Sequence, residues 1–290
     1  DLDPVVRGYA LRAKGSGSQI LGMQSIAAAA FEDAIAIFER HDMEDWAMRI
    51  LLSLSGVYSN SGRWDEGLDA AQRNLEHVTS AGDRSAEAMA RYYVGENAFG
   101  RGEMAVGQRD MTAAAQVFDE RGEFSRAAYT ASQASKAASL AGDSTEAARL
   151  ATMASKAADR AANAYSIGAA ASASGMVKAA EGEPSIAAGR LLEADGLVAA
   201  GHPDELTDIL LPAAFLYAGL DRPSDAAVIS ASIGDHLADS ENVLPTPWAD
   251  LLALWEGTVD RPPEPLPITD LREHVVADLE QISAQANVLA

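Results

Sequence analysis

Along most of this chain the apolar residues advance in steps of three and four. Ile26, Ala30, Ala34, Ile37 and Phe38 share one helix face, and near the C-terminus Leu271, Val275, Leu279, Ile282, Ala286 and Leu289 form a second stripe. Such stripes predict amphipathic helices. Breaker clusters punctuate them at a fixed interval. Ser61-Gly62-Arg63, Arg101-Gly102-Glu103, Ala141-Gly142-Asp143 and Glu181-Gly182-Glu183 place their glycines 40 residues apart, and the next step lands on Asp221-Arg222-Pro223. A second column lies halfway, at Asp42, Gly82, Gly122, Ala162 and His202, so turns recur every 20 residues. Glycine at such a point ends one helix in the left-handed region, and the Asp, Glu or Ser that follows caps the next. Each interval therefore predicts a helix of roughly 16 residues and a tight turn, as antiparallel helix pairs require.

The intervals share a packing signature. Five residues after each glycine of the first column stand Gly67, Gly107, Ala147, Ala187 and Ala227, and seven before it stand Ser55, Gly95, Ser135 and Gly175, with Phe215 the exception. Two small columns at fixed places predict that the paired helices cross closely once per repeat. Leu51, Leu54, Tyr58, Trp64, Leu75, Val94, Met104 and Met111 read as core.

Composition sharpens the fold class. Of 290 residues 60 are alanine, only 6% are aromatic and none is cysteine. Alanine favours helices and lets them approach, whereas strands need β-branched and aromatic cover, so the chain reads as all-α. Without cysteine there is no disulfide framework, zinc ribbon, iron–sulfur cluster or thiol nucleophile, which fits a reducing cytoplasm. Forty-three acidic against 22 basic residues give a net charge of −21, which repels phosphate backbones and anionic lipid and argues against direct nucleic-acid or membrane contact. No apolar run reaches membrane-spanning length, and the N-terminus lacks a signal-peptide pattern. Beginning at Asp1 without Met, the chain is expected to be a piece of a longer protein.

Glycine at the turn, small residues seven before and five after it, Tyr58 four before Gly62 and an aromatic in Gly62-Arg63-Trp64 resemble the tetratricopeptide repeat, although the period is 40 rather than 34 and the usual terminal proline is missing. The longer unit and its Ala-Gly-Asp-type turns are similar to the superhelical C-terminal domains of MalT-like, AfsR-like and large ATP-binding LuxR-type bacterial regulators. That resemblance implies a right-handed superhelix of about five helical hairpins over residues 20–238. Residues 1–19 are expected to be a frayed or partial first helix, because Lys14-Gly15-Ser16-Gly17-Ser18 is poor helix material. Residues 239–290, with a proline-rich loop over 261–267, are expected to form a C-terminal helical cap.

Carrying over the groove positions of tetratricopeptide repeats by the turn column implies a concave surface formed by Arg49, Leu52, Tyr92, Glu96, Phe99, Tyr129, Ser132, Lys136 and Met176. Tyrosine and arginine dominate interface energetics; the alternative is that the tyrosines fill gaps between repeats and the charges pair on a solvated surface. Catalytic chemistry finds little support. His41, His77, His202, His236 and His274 are scattered singly and read as surface residues, Lys14–Ser18 lacks the Gly-Lys-Ser/Thr of a phosphate loop, and the acid pairs Glu44-Asp45, Asp65-Glu66 and Asp204-Glu205 sit at helix starts, where they complement the helix dipole. The expected function is a non-catalytic recognition module without metal or cofactor. Its partner is a protein, a peptide or a small-molecule effector, and its oligomeric state is left open. The regulator resemblance implies the sensing domain of a transcription regulator; the alternative is a stand-alone protein-interaction scaffold.

Overall fold

The computed structural model describes residues 3–198, 205–238, 240–259 and 263–285. These residues form an all-α helical-hairpin repeat fold, with α1 (Pro4–Ile20), α2 (Gln24–Arg40), α3 (Glu44–Asn60), α4 (Trp64–Ala81), α5 (Arg84–Gly100), α6 (Met104–Glu120), α7 (Phe124–Leu140), α8 (Ser144–Ala161), α9 (Ala164–Ala180), α10 (Pro184–Val198), α11 (Glu205–Gly219), α12 (Pro223–Ala238), α13 (Thr246–Glu256) and α14 (Ile268–Gln285). No helix among the described residues is long and apolar enough to cross a membrane.

Both turn columns are visible in the backbone. Gly22, Gly62, Gly82, Gly102, Gly122, Gly142 and Gly182 have positive φ, and so do the non-glycine members Asp42 and Ala162; at the last turn the left-handed residue is Asp221, one before the column position Arg222. His202 and Asp204 lie outside the described residues. Capping is less regular than the turns. Asp83, Asp143 and Asn163 accept from backbone N–H groups of α5, α8 and α9, whereas Met23, Met43, Arg63 and Glu123 offer no side-chain cap.

The small columns mark the helix crossings. Ser55 Oγ donates to the Gly67 carbonyl at 2.7 Å and Ser135 Oγ to the Ala147 carbonyl at 2.8 Å. Where the serine is replaced by glycine a side chain has little room: a Cβ on Gly95 would lie 2.8 Å from the Gly107 carbonyl oxygen, and one on Gly175 would lie 2.7 Å from the Leu191 side chain and 3.3 Å from the Ala187 carbonyl oxygen. The first segment corrects the sequence expectation. Residues 4–20 form a regular 17-residue helix rather than a frayed one, because its glycines are packing sites: a Cβ on Gly15 would stand 2.5 Å from the Phe31 ring, and one on Gly8 would stand 3.1 Å from Phe38. Gly15 and fully buried Ala27 occupy the two small columns, so α1 and α2 make a further hairpin beyond the five expected.

The chain forms two compact units, residues 1–114 with 237–246 and residues 115–236 with 247–290. In the first unit Phe31, Phe38, Ile50, Leu51, Leu54 and Val57 form the core, and residues 241–246 run past one turn of each hairpin. Glu241 accepts from the Ser25 backbone N–H and hydroxyl, supplying α2 with the N-terminal acceptor it otherwise lacks. Asn242 accepts from Gln24, and the Val243 N–H donates to the Asn60 carbonyl at 2.7 Å. In the second unit α14 packs on α10 and α11, burying Leu271, Val275, Leu279 and Ile282. Ala286 and Leu289 of that stripe, and Arg261 and Pro262 of the proline-rich loop, lie outside the described residues. A two-pronged ion pair from Arg272 to buried Asp195, at 2.6 and 2.8 Å, fixes α14.

The left-handed turns give a direct test. Ala162 sits at φ 51°, which costs an L residue ~1–2 kcal/mol, while glycine there carries a smaller entropic cost. Ala162→Gly should raise unfolding stability by up to ~1 kcal/mol in urea titrations. Gly142→Ala should lower it by a similar amount, since a Cβ at Gly142 meets nothing within 4 Å and backbone conformation alone is changed. Opposite signs for the two are the expected result.

Candidate binding surface

Odd-numbered helices α1 to α11 are the first members of the hairpins, and all residues of the expected groove lie on them. In the first unit Arg49 is exposed on α3, its guanidinium 5.6 Å from the centroid of the Trp46 ring. Arg12 of α1 approaches the same ring at 5.3 Å, and Tyr9 meets it edge-on at 5.1 Å. An open cavity of about 450 Å³ adjoins this cluster, lined by Asp42, Met43, Glu44, Asp45, Trp46 and Arg49. Trp46, Arg12 and Tyr9 were not among the groove positions read from the sequence. The missed signal was available: Tyr9 stands 40 residues before Arg49 and Arg12 stands 40 before Leu52, so the columns continue into the helix taken as frayed.

On α5 the Tyr92 hydroxyl donates to Glu96 Oε1 at 2.6 Å. Burial pushes the Glu96 carboxyl up to about 7, against the opposing pull of the Tyr92 hydrogen bond. Tyr92 is 7% exposed. Phe99 is buried at the α5–α6 crossing, where its Cβ fills the space that a Cβ on Gly107 would need. The structure thus gives Phe99 a packing duty and leaves Arg49 outward.

In the second unit Tyr129 of α7 stacks on Tyr165 of α9, with centroids 5.5 Å apart and planes 23° apart. Ser132 turns its hydroxyl back onto the Ala128 carbonyl at 2.8 Å and is fully buried. Lys136 is 4% exposed and Met176 is inaccessible. The expected positions therefore divide into exposed Arg49, half-buried Leu52, Glu96 and Tyr129, and buried Tyr92, Phe99, Ser132, Lys136 and Met176. Alanine on neighbouring helices explains the buried set.

One titratable group outside these columns has a structural part. His77, read as an isolated surface residue, is half-buried on α4, with Nε2 3.1 Å from Asp45 Oδ1 and Nδ1 3.8 Å from Glu44 Oε1. The partners lie about 32 residues away on the neighbouring helix, beyond the reach of local spacing rules. Among the described residues no group of three or more His, Cys, Asp or Glu side chains converges as metal ligands do.

No protein-family model and no curated protein matches the chain. Solved structures do. A crystal structure of a Rap protein complexed with competence and sporulation factor is similar at a TM-score of 0.63 and 12% identity, covering 96% of this chain and 78% of that one. The apo form of RapI is similar at 0.54 and 12%, covering 98% and 86%. At this identity the likeness is one of fold, that of a TPR-like helical repeat.

The Glu96 carboxyl has a measurable consequence. Because its pKa is raised in the folded state, folding favours the protonated form, so its contribution to stability is greatest below about 4.5 and is lost as pH climbs to about 7. Glu96→Gln removes that loss. The stability of the variant relative to wild type should rise by roughly 1–3 kcal/mol between those two pH values. Urea denaturation at both ends checks this, and a constant difference would show that Glu96 titrates as an ordinary solvated carboxyl.

Proposed function

We propose that this chain is a non-catalytic repeat scaffold that binds a peptide or a partner protein on the outward side of its first helices. The observation that carries the reading is the arrangement of Arg12 and Arg49 about Trp46, beside an open cavity. An aromatic face flanked by two guanidiniums offers apolar contact and hydrogen-bond donors together, the combination found at interface anchors. The cavity beside them is lined by Asp42, Glu44 and Asp45 as well as Arg49, so the surface offers both donors and acceptors to a partner chain. The fold likeness to a Rap protein that is itself complexed with competence and sporulation factor supports the same reading.

The sensing domain of a bacterial transcription regulator, in the cytoplasm, is a narrower form of this proposal. Its support is the 40-residue unit with Ala-Gly-Asp turns. A small-molecule effector would use the same face, and the acidic charge argues against direct contact with nucleic acid.

Selection of random displayed peptides on the immobilised chain tests the reading. Selected peptides should lose at least about tenfold in affinity with Arg12→Ala and with Arg49→Ala, at unchanged helicity by circular dichroism. Failure to enrich any peptide, or binders indifferent to both variants, would remove the first-helix surface as the site.

A further inference from the structure

The opposite side of the first unit carries a different surface. The second helices α2 and α4 run parallel to each other on either side of α3 and leave a trough of about 610 Å³ between them. This lies within the ~300–1,000 Å³ range of ligand clefts. Its floor is apolar: Leu51, Leu54 and Tyr58 of α3 follow one another at helical spacing, with half-buried Ile35 and Ala36 alongside. Its walls are acidic. Glu32 and Glu39 line it from α2, and Asp65, Glu66 and Asp69 from α4, against the single cation Arg73.

Three of these carboxylates are engaged within the protein. Glu32 accepts from the Tyr58 hydroxyl at 2.7 Å, Asp65 pairs with Arg101 at 2.6 Å and Glu66 with Arg63 at 3.0 Å. The side chains of Glu39 and Asp69 are exposed and have no hydrogen-bond or ion-pair partner among the described residues. Two facing walls of like charge repel each other, at a cost that a cation placed between them would remove.

We propose that this trough is a docking site for an amphipathic helix of a partner protein, with an apolar stripe seated on Leu51, Leu54 and Ile35 and Lys or Arg residues flanking it toward Glu39 and Asp69. Helix-in-groove recognition uses an apolar stripe of this kind, read at helical spacing, and the charge on both walls selects a cationic helix over an acidic one. The site is independent of the first-helix surface, because it is built from second helices and from the other side of α3.

The test titrates a labelled amphipathic Leu/Lys helical peptide into the full chain and follows fluorescence anisotropy. Wild type should bind saturably and more weakly as salt is raised. The double variant Glu39→Gln/Asp69→Asn should bind at least about tenfold more weakly. Asp33→Asn/Asp159→Asn, which removes the same charge from exposed positions outside the trough, should bind like wild type. A peptide with the same lysines but serine in place of leucine should also bind at least about tenfold more weakly. Absence of saturable binding, equal loss in both double variants, or equal binding of the serine peptide would overturn the proposal, the last two by reducing it to attraction toward a polyanion.

Discussion

The four hairpins from α3 to α10 are each joined at one point where the two helices meet through small residues, and the packing around them is arranged about those points. Ser55 over Gly67, Gly95 against Gly107, Ser135 over Ala147 and Gly175 beside Ala187 are the same contact repeated at 40-residue intervals. Serine answers the approaching carbonyl with a hydrogen bond, and glycine answers it by having no Cβ. The interior close to each crossing must then be filled with alanine, and Ala47, Ala71, Ala127, Ala157 and Ala188 are buried accordingly. Close packing at this scale makes a single added methyl perceptible. It also fixes the rotational phase of every helix, which decides which residues point outward.

Much of this was legible in the sequence because it is written in residue size and backbone conformation. Positive φ falls at every described member of both turn columns except the last, where it shifts one residue to Asp221, and it includes Ala162, which no propensity scale would place there. What escaped was information that depends on the neighbour. Gly15 reads locally as flexibility and becomes a contact only when Phe31 is laid across it. Once α1 is admitted, Tyr9 and Arg12 enter the same columns as Arg49 and Leu52, and the cluster about Trp46 appears. The groove residues show the converse limit. Their columns were readable, but the burial of Ser132, Lys136 and Met176 depends on the space left by small neighbours, which sequence spacing does not encode. His77 found Asp45 and Glu44 for the same reason: adjacency of α3 and α4, rather than any local motif.

The crossings also explain how an acidic, alanine-rich chain offers more than one recognition surface. With small residues at the crossings and large apolar side chains in the core between them, charged side chains collect on the faces that the crossings leave free. First helices carry arginine and aromatic rings about Trp46, while α2 and α4 carry carboxylates over the apolar stripe of α3. The first surface mixes arginine, carboxylates and aromatic rings, whereas the second is mainly acidic over an apolar floor, so they suit partners of different chemistry.

The account rests on the crossings being tight enough to exclude a methyl group, and the sign of one pair of substitutions decides it. Helix propensity alone makes Gly→Ala in a helix stabilising by ~1 kcal/mol. Gly17 of α1 is exposed and a Cβ there meets nothing within 4 Å, whereas a Cβ on Gly107 of α6 would lie 2.8 Å from both the Gly95 carbonyl oxygen and Phe99 Cβ. Urea unfolding of the two single variants should show Gly17→Ala more stable than wild type, and Gly107→Ala less stable by ~1–3 kcal/mol. Stabilisation of both to the same extent would mean that the helices are not in close contact at their crossings.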